Sequence, residues 1–282
     1  ASLEDLEDVS KTSDSVSKRY VLVKNLILDT RHNWQPIGNY YVANITEEEY
    51  SAGKYYINVD ESFVLCEAAA FNEEETYYLY GFNGEFNFKY QHVDIKQNVI
   101  LENSYSILNI AYAGTLSSEN NTYGMFSKLG KNAVVLYAKI SYNFYQPKLS
   151  GGFTFGGIAG VNEGKILNAQ VEYANFVFET VSNANIGGIV GKSSSLSSPD
   201  IIDCINKGYV RGIDSSIGGI LGNGYANVLN CLNSGDVKNT GKNTGGICGI
   251  IGKTTSRKVT NSLNISTEIL VMLVQLLEIT MV

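Results

Sequence analysis

The chain has 282 residues, with 21 Lys and Arg against 28 Asp and Glu, a net charge of −7, and only 17% charged residues. That balance excludes a highly charged disordered chain and argues against a nucleic-acid partner, while 44% hydrophobic residues supply material for a core. The 28 glycines beside 3 prolines, with no glycine at every third position, point to tight turns repeated between strands and away from collagen or a Pro-rich linker. No stretch of about 18 apolar residues reads as a membrane-spanning helix, so no membrane insertion is expected.

Residues 1–17 carry Glu4, Asp5, Glu7, Asp8 and Asp14 among five serines and no strand pattern, and are expected to form a flexible acidic leader. Residues 18–149 hold short apolar segments interrupted by an aromatic-rich insertion from about Tyr40 to Tyr80. Adjacent aromatics on a strand face opposite sides, so each of the pairs Tyr40-Tyr41, Tyr55-Tyr56 and Tyr77-Tyr78, and likewise Phe144-Tyr145, is expected to place one ring outside; Tyr80 and Tyr142 belong to the same aromatic stretches. Tyr40, Tyr55, Tyr78, Tyr80, Tyr142 and Tyr145 are therefore the binding candidates, since exposed rings stack on sugars or anchor a protein. The alternative is that they fill the core of a divergent capping region.

Residues 150–267 are organised by a repeat. Gly156-Gly157-Ile158-Ala159-Gly160 returns as Gly187-Gly188-Ile189-Val190-Gly191, Gly218-Gly219-Ile220-Leu221-Gly222 and Gly245-Gly246-Ile247-Cys248-Gly249, at offsets of 31, 31 and 27 residues. A weaker upstream unit joins Tyr123-Gly124-Met125-Phe126 to Ala133 through Ala138. Each copy precedes a second apolar segment that aligns Asn168, Asp203, Asn230 and Asn261 in one column and Ala169, Cys204, Cys231 and Ser262 in the next. Runs of four to six residues are too short for stable helices, and one unit cannot bury both of its strands. Stacked as coils about 4.8 Å apart, the units bury Ile158, Ile189, Ile220 and Ile247 as an interior ladder. The expected fold is mostly β, a parallel β-solenoid of about eight coils, winding right-handed.

The G-G-I-x-G unit followed by Asn230-Cys231-Leu232-Asn233-Ser234-Gly235-Asp236-Val237 resembles the GLUG-motif repeats of bacterial surface proteins. Tyr20 through Val23 with Trp34-Gln35-Pro36-Ile37-Gly38 is similar to the segment that opens such arrays, and Phe82 through Phe86 with His92 through Ile95 is similar to the turn that follows it. The resemblance implies a secreted or cell-surface module, used for adhesion or as a spacer, whose motif carries no catalytic residue. Polysaccharide, a host surface glycan or a host protein is the implied partner.

Residues 268–282 lose glycine and asparagine abruptly. One expectation is an amphipathic helix capping the solenoid; the preferred one is an out-of-frame repeat. Permissible codons for this stretch, shifted by two nucleotides, encode N-I-G-N-V-G-A-I-V-G-N-N-Y-G, a further unit placed 28 residues after Gly245. Sequencing the encoding DNA decides between them.

Other chemistry is sparse. Cys66, Cys204, Cys231 and Cys248 lack CxxC spacing and the only histidines are His32 and His92, so no metal site or cofactor is expected. Cys204 and Cys231 fall at equivalent positions, but in-register stacking points both Cβ atoms the same way, so reduced, buried thiols are expected. The amides of Asn168, Asn230, Asn233, Asn261 and Asn264 are suited to a cation or a sugar, but are expected to form ladders satisfying turn backbone. The runs Glu47-Glu48-Glu49 and Glu73-Glu74-Glu75 lack the spacing of calcium loops and read as solvated. Asp203 with Arg211 is the one pairing that fits a polysaccharide lyase or hydrolase, the alternative function. A second alternative is the repeat region accompanying a surface protease.

Overall fold

The computed structural model describes residues 2–9, 17–29, 34–38, 40–43, 47, 50, 55–59, 62–66, 71–94, 99–111, 121–143, 152–172, 175–178, 182–193, 199–241, 243–252, 259–260 and 262–264. The tail at 268–282 lies outside them. The chain winds as a parallel β-solenoid, each turn adding one short strand to every face.

The first face stacks Arg19–Val21, Glu85–Asn87, Val134–Leu136, Lys165–Leu167, Asp200–Ile202, Asn227–Leu229 and Val259–Thr260. The second stacks Leu26–Ile27, Ile107–Ile110, Lys139–Tyr142, Gln170–Glu172, Ile205–Asn206, Leu232–Asn233 and Leu263–Asn264. A short third face holds Asn175–Phe178, Tyr209–Gly212 and Val237–Asn239. The fourth comprises Thr122–Tyr123, Thr154–Gly156, Asn185–Gly187, Ser216–Gly218 and Asn243–Gly245. The fifth comprises Phe126–Leu129, Ala159–Asn162, Val190–Ser193, Leu221–Gly224 and Cys248–Ile251. The longest faces have seven rungs and about four turns carry the Gly-Gly corner, fewer than the eight coils expected. Much of the N-terminal half leaves the stack instead of lengthening it.

The predicted ladder forms. The Ile158 amide donates to the Ile189 carbonyl, Ile189 to Ile220 and Ile220 to Ile247, and the first three side chains are fully buried. Met125 heads the column, because the Phe126 amide donates to Ile158. Wider turns are filled by aromatics: Phe155 lies 4.6 Å from Phe176 and 5.1 Å from Phe178, ring centre to ring centre, in tilted arrangements that suit their quadrupoles.

Three N-terminal features correct the sequence reading. The acidic leader is not wholly unstructured: Leu3–Asp8 forms helix α1. Ser2 accepts from the Asp5 amide while the Asp5 carboxylate accepts from the Ser2 amide, a reciprocal cap. Leu6 and Val9 join the same buried cluster as Leu22 and Leu26, so α1 contributes to the core beside the first rung.

The insertion builds a separate antiparallel sheet, in which Tyr40–Ala43, Tyr77–Tyr80, Tyr56–Val59 and Ser62–Leu65 are neighbours in that order. It leaves and re-enters the solenoid within one rung: Ile37 pairs with Phe126 and Phe82 with Leu129, on a single strand of the fifth face. Gly38 and Gly81 turn the chain out and back with φ of 87° and 80°, a region that favours glycine.

The His92 segment is not a coil turn. Lys89–Asp94 pairs antiparallel with Val99–Ser104 as a hairpin between the first and second faces.

Candidate functional site

The tyrosine candidates divide between core and insertion. Tyr142 is buried; its hydroxyl donates to the Gly157 carbonyl at 2.5 Å, and its ring meets Phe155 and Phe176 edge-on. Tyr55 is 8% exposed and packs with Tyr50 and Tyr77 in the insertion's own small cluster. Both are therefore corrected from outward-facing to core residues. Tyr78 is half-buried and pairs in register with Val42 and Tyr56; Tyr40 pairs with Tyr80. The insertion thus brings Tyr40, Tyr78 and Tyr80 onto one sheet. Tyr145 lies outside the described residues.

The asparagines serve two structural tasks. Asn168, Asp203 and Asn230 occupy successive corners between the first and second faces with φ of 54°, 55° and 52°, a left-handed conformation that Asn and Asp adopt most readily after glycine. Their side chains are exposed, and the Asn230 amide donates to Asp203 at 3.2 Å. The buried ladder is the next asparagine along. Asn206 donates to Asn233 at 2.8 Å and Asn233 to Asn264 at 2.7 Å, while Asn206 and Asn233 also donate to the carbonyls of Gly208 and Gly235. Asn206 and Asn233 are fully buried, so this ladder is internal wiring and not a ligand site. Asn261 lies outside the described residues.

The remaining candidates do not converge. Asp203 stands at the corner between the first two faces, whereas Arg211 projects from the third face. Glu73, Glu74 and Glu75 are exposed on a turn in which the Glu74 amide donates to the Asn72 side chain; Glu48 and Glu49 lie outside the described residues. Among the described residues no group of three or more His, Cys, Asp or Glu is placed to hold a metal ion. No described helix is long and apolar enough to cross a membrane.

The four cysteines are free thiols. Cys204 and Cys231 stack in adjacent rungs beneath the asparagine corners, each thiol directed at backbone carbonyls, Ile202 for Cys204 and Leu229 for Cys231. Burial pushes the Cys204 thiol well above its usual value and pushes Cys248 up to about 12.

Among the described residues, two concave polar surfaces have no counterpart in the sequence reading. One, about 250 Å³, is lined by Asp236, Lys238, Thr244 and Asn264 among others; the other is larger. At the corner between the third and fourth faces, Asn183, Asn185, Asp214, Ser216 and Asn243 line a cavity of about 460 Å³. These residues come from three successive coils. A sequence signal was available: the residue two places before each Gly-Gly pair is Thr154, Asn185, Ser216 or Asn243, always polar.

The fold and these surfaces define a repeat protein of the parallel β-solenoid class. Comparison with family models, with curated proteins and with solved structures gave no match to this chain.

Proposed function

We propose that this chain is a non-catalytic binding or spacer module of a bacterial surface protein, adhesin-like and acting outside the cell, as its resemblance to GLUG-motif repeats implies. The observation that carries the reading is the way the insertion is mounted. Ile37 and Phe82 both pair with the strand Phe126–Leu129, so the rung continues across the point where the insertion departs. A stack that is complete without its insertion separates two tasks, one rigid and one variable. The solenoid supplies length, about 4.8 Å per rung, and the insertion supplies a surface free to differ.

Asp203 and Arg211, the pairing that fitted a lyase or hydrolase, stand apart, one at the corner between the first two faces and one on the third, which weighs against that alternative. The test is to screen the intact chain against polysaccharides and host-glycan arrays alongside a reducing-end assay. Binding without turnover is expected. Release of reducing ends that survives repurification would overturn the non-catalytic reading.

A further inference from the structure

We propose that the corner between the third and fourth faces is a saccharide-binding site. The cavity there, about 460 Å³, falls within the range of small-ligand sites. Asn183 and Asn185 come from one coil, Asp214 and Ser216 from the next, and Asn243 from a third. Two rung steps make it about 10 Å long, room for two sugar rings.

The backbone beneath is already satisfied. The Asn183 amide donates to the Asp214 carbonyl at 3.1 Å, and the Asp214 amide to Thr240 Oγ1 at 3.3 Å. The Ser215 hydroxyl accepts from the Ala184 amide at 3.1 Å and donates to the Ile213 carbonyl at 2.7 Å; Asn239 Nδ2 donates to the Ser215 carbonyl at 2.7 Å. Of the lining side chains, Ser215 is therefore committed to closing this corner, while the Asp214 carboxylate and the Asn243 side-chain amide are not used by it. Asn183 and Asp214 hold left-handed φ of 60° and 40°, and Asn223 Nδ2 donates to Asn185 Oδ1 at 2.9 Å, fixing that amide. Among the described residues the Asp214 carboxylate and the Asn243 amide have no hydrogen-bond or ion-pair partner.

The chemistry of the lining selects the ligand. Three amides and a hydroxyl each donate and accept, and one carboxylate accepts. Vicinal hydroxyls of a sugar, each both donor and acceptor, match that set. A single carboxylate is too little charge for calcium, which takes six to eight oxygens, usually with several carboxylates among them. No Lys or Arg lines the cavity to hold a phosphate, and no aromatic ring lines it to hold a planar apolar ligand.

This inference rests on the binding-module reading above, and the experiment separates the two. Maltose, cellobiose, lactose and N,N′-diacetylchitobiose are titrated calorimetrically into the intact chain, into Asn243→Ala and Asp214→Asn, and into Asn175→Ala on the neighbouring face as control. All four proteins are first matched for melting temperature. The expected result is binding of at least one disaccharide in the millimolar range, about tenfold weaker in Asn243→Ala, as loss of one hydrogen bond predicts, weaker by a factor of about 3–10 in Asp214→Asn, where a neutral amide oxygen replaces the charged acceptor, and unchanged in Asn175→Ala. Binding that all three variants keep would overturn the site and leave the module reading standing. Binding of array polysaccharides without any disaccharide would also overturn the site alone. Silence toward every saccharide would overturn the site and the saccharide-binding form of the module reading together.

Discussion

Gly219 packs its bare Cα against the Asn233 side-chain amide. A Cβ on Gly219 would overlap the Asn233 side-chain amide, and the same relation joins Gly188 to Asn206 and Gly246 to Asn264. In these three pairs the second glycine therefore leaves room for the asparagine ladder, and a carbonyl of the next coil excludes a Cβ as well: Gly219 for Gly188 and Gly246 for Gly219. Gly157, which faces Val171 instead of an asparagine, is held to glycine by the Gly188 carbonyl. The first glycine has another cause, since a Cβ on Gly218 would strike the Leu221 carbonyl across the tight turn.

Gly219→Ala should therefore destabilise the solenoid although it adds only a methyl group. Overpacking of this kind costs about 1–3 kcal/mol, and in a chain of this size each kcal/mol lowers the melting temperature by about 2–4 °C. Thermal unfolding followed by circular dichroism checks it. An unchanged midpoint would mean that the corner relaxes freely.

The two asparagine columns should respond unequally. Asn233→Ala strips the acceptor from Asn206 and the donor from Gly235 and Asn264 in a buried setting, for a loss of about 2–4 kcal/mol. Asn230→Gly keeps the left-handed corner at φ 52° and should stay within about 0.5 kcal/mol. Chemical denaturation of the pair measures the contrast.

The buried thiols set an alkaline limit. Cys248, with an ordinary value of 9.0, is pushed up to about 12 by burial, and burial raises Cys204 likewise. Between about pH 9 and pH 12 the unfolded chain sheds these protons while the folded chain keeps them. Stability is therefore fully present below about pH 9 and declines as pH rises toward 12. Alkylation tests burial directly: Cys204 and Cys231 are both shut off from solvent, so iodoacetamide at pH 8 should modify them only after denaturant is added, as mass spectrometry of the peptides would show. Rapid modification of the native protein would contradict their burial.

How much of this was legible depended on whether an environment repeats. Ile158, Ile189 and Ile220 meet the same neighbours in successive turns, so one environment appears several times in the chain and the interior column can be read off directly. The corner residues Asn168, Asp203 and Asn230 were legible for the same reason, and so were stacked free thiols at Cys204 and Cys231. Features that occur once left no such trace. Helix α1 rests on a single Ser2–Asp5 cap and two buried side chains, Leu6 and Val9, inside a stretch whose composition is that of a solvated leader. The hairpin at Lys89–Ser104 carries alternating residues that serve a coil strand equally well, and only its antiparallel partner distinguishes it. Tyr142 shows the limit of reading rings from an aromatic-rich stretch: it was a candidate for an exposed ring, but the wide turn beside Phe155 and Phe176 needed a large inward one. The polar lining at Asn185, Ser216 and Asn243 repeats, yet outward polar residues are ordinary on any strand, and only the concave corner beside Asn183 and Asp214 sets them apart.

The division between a self-sufficient solenoid and a mounted insertion is tested most directly by removing the insertion. Replacing residues 39–80 with a Gly-Ser linker joins positions that already share a rung, since Gly38 lies against the Phe82 amide. The measurement is the thermal midpoint of the shortened chain against the intact one. A single cooperative transition within about 5 °C of the parent, equivalent to about 1–2 kcal/mol, is predicted. A shortened chain that is unfolded, or that melts without cooperativity, would show that the insertion is part of the solenoid's own core and would contradict the account.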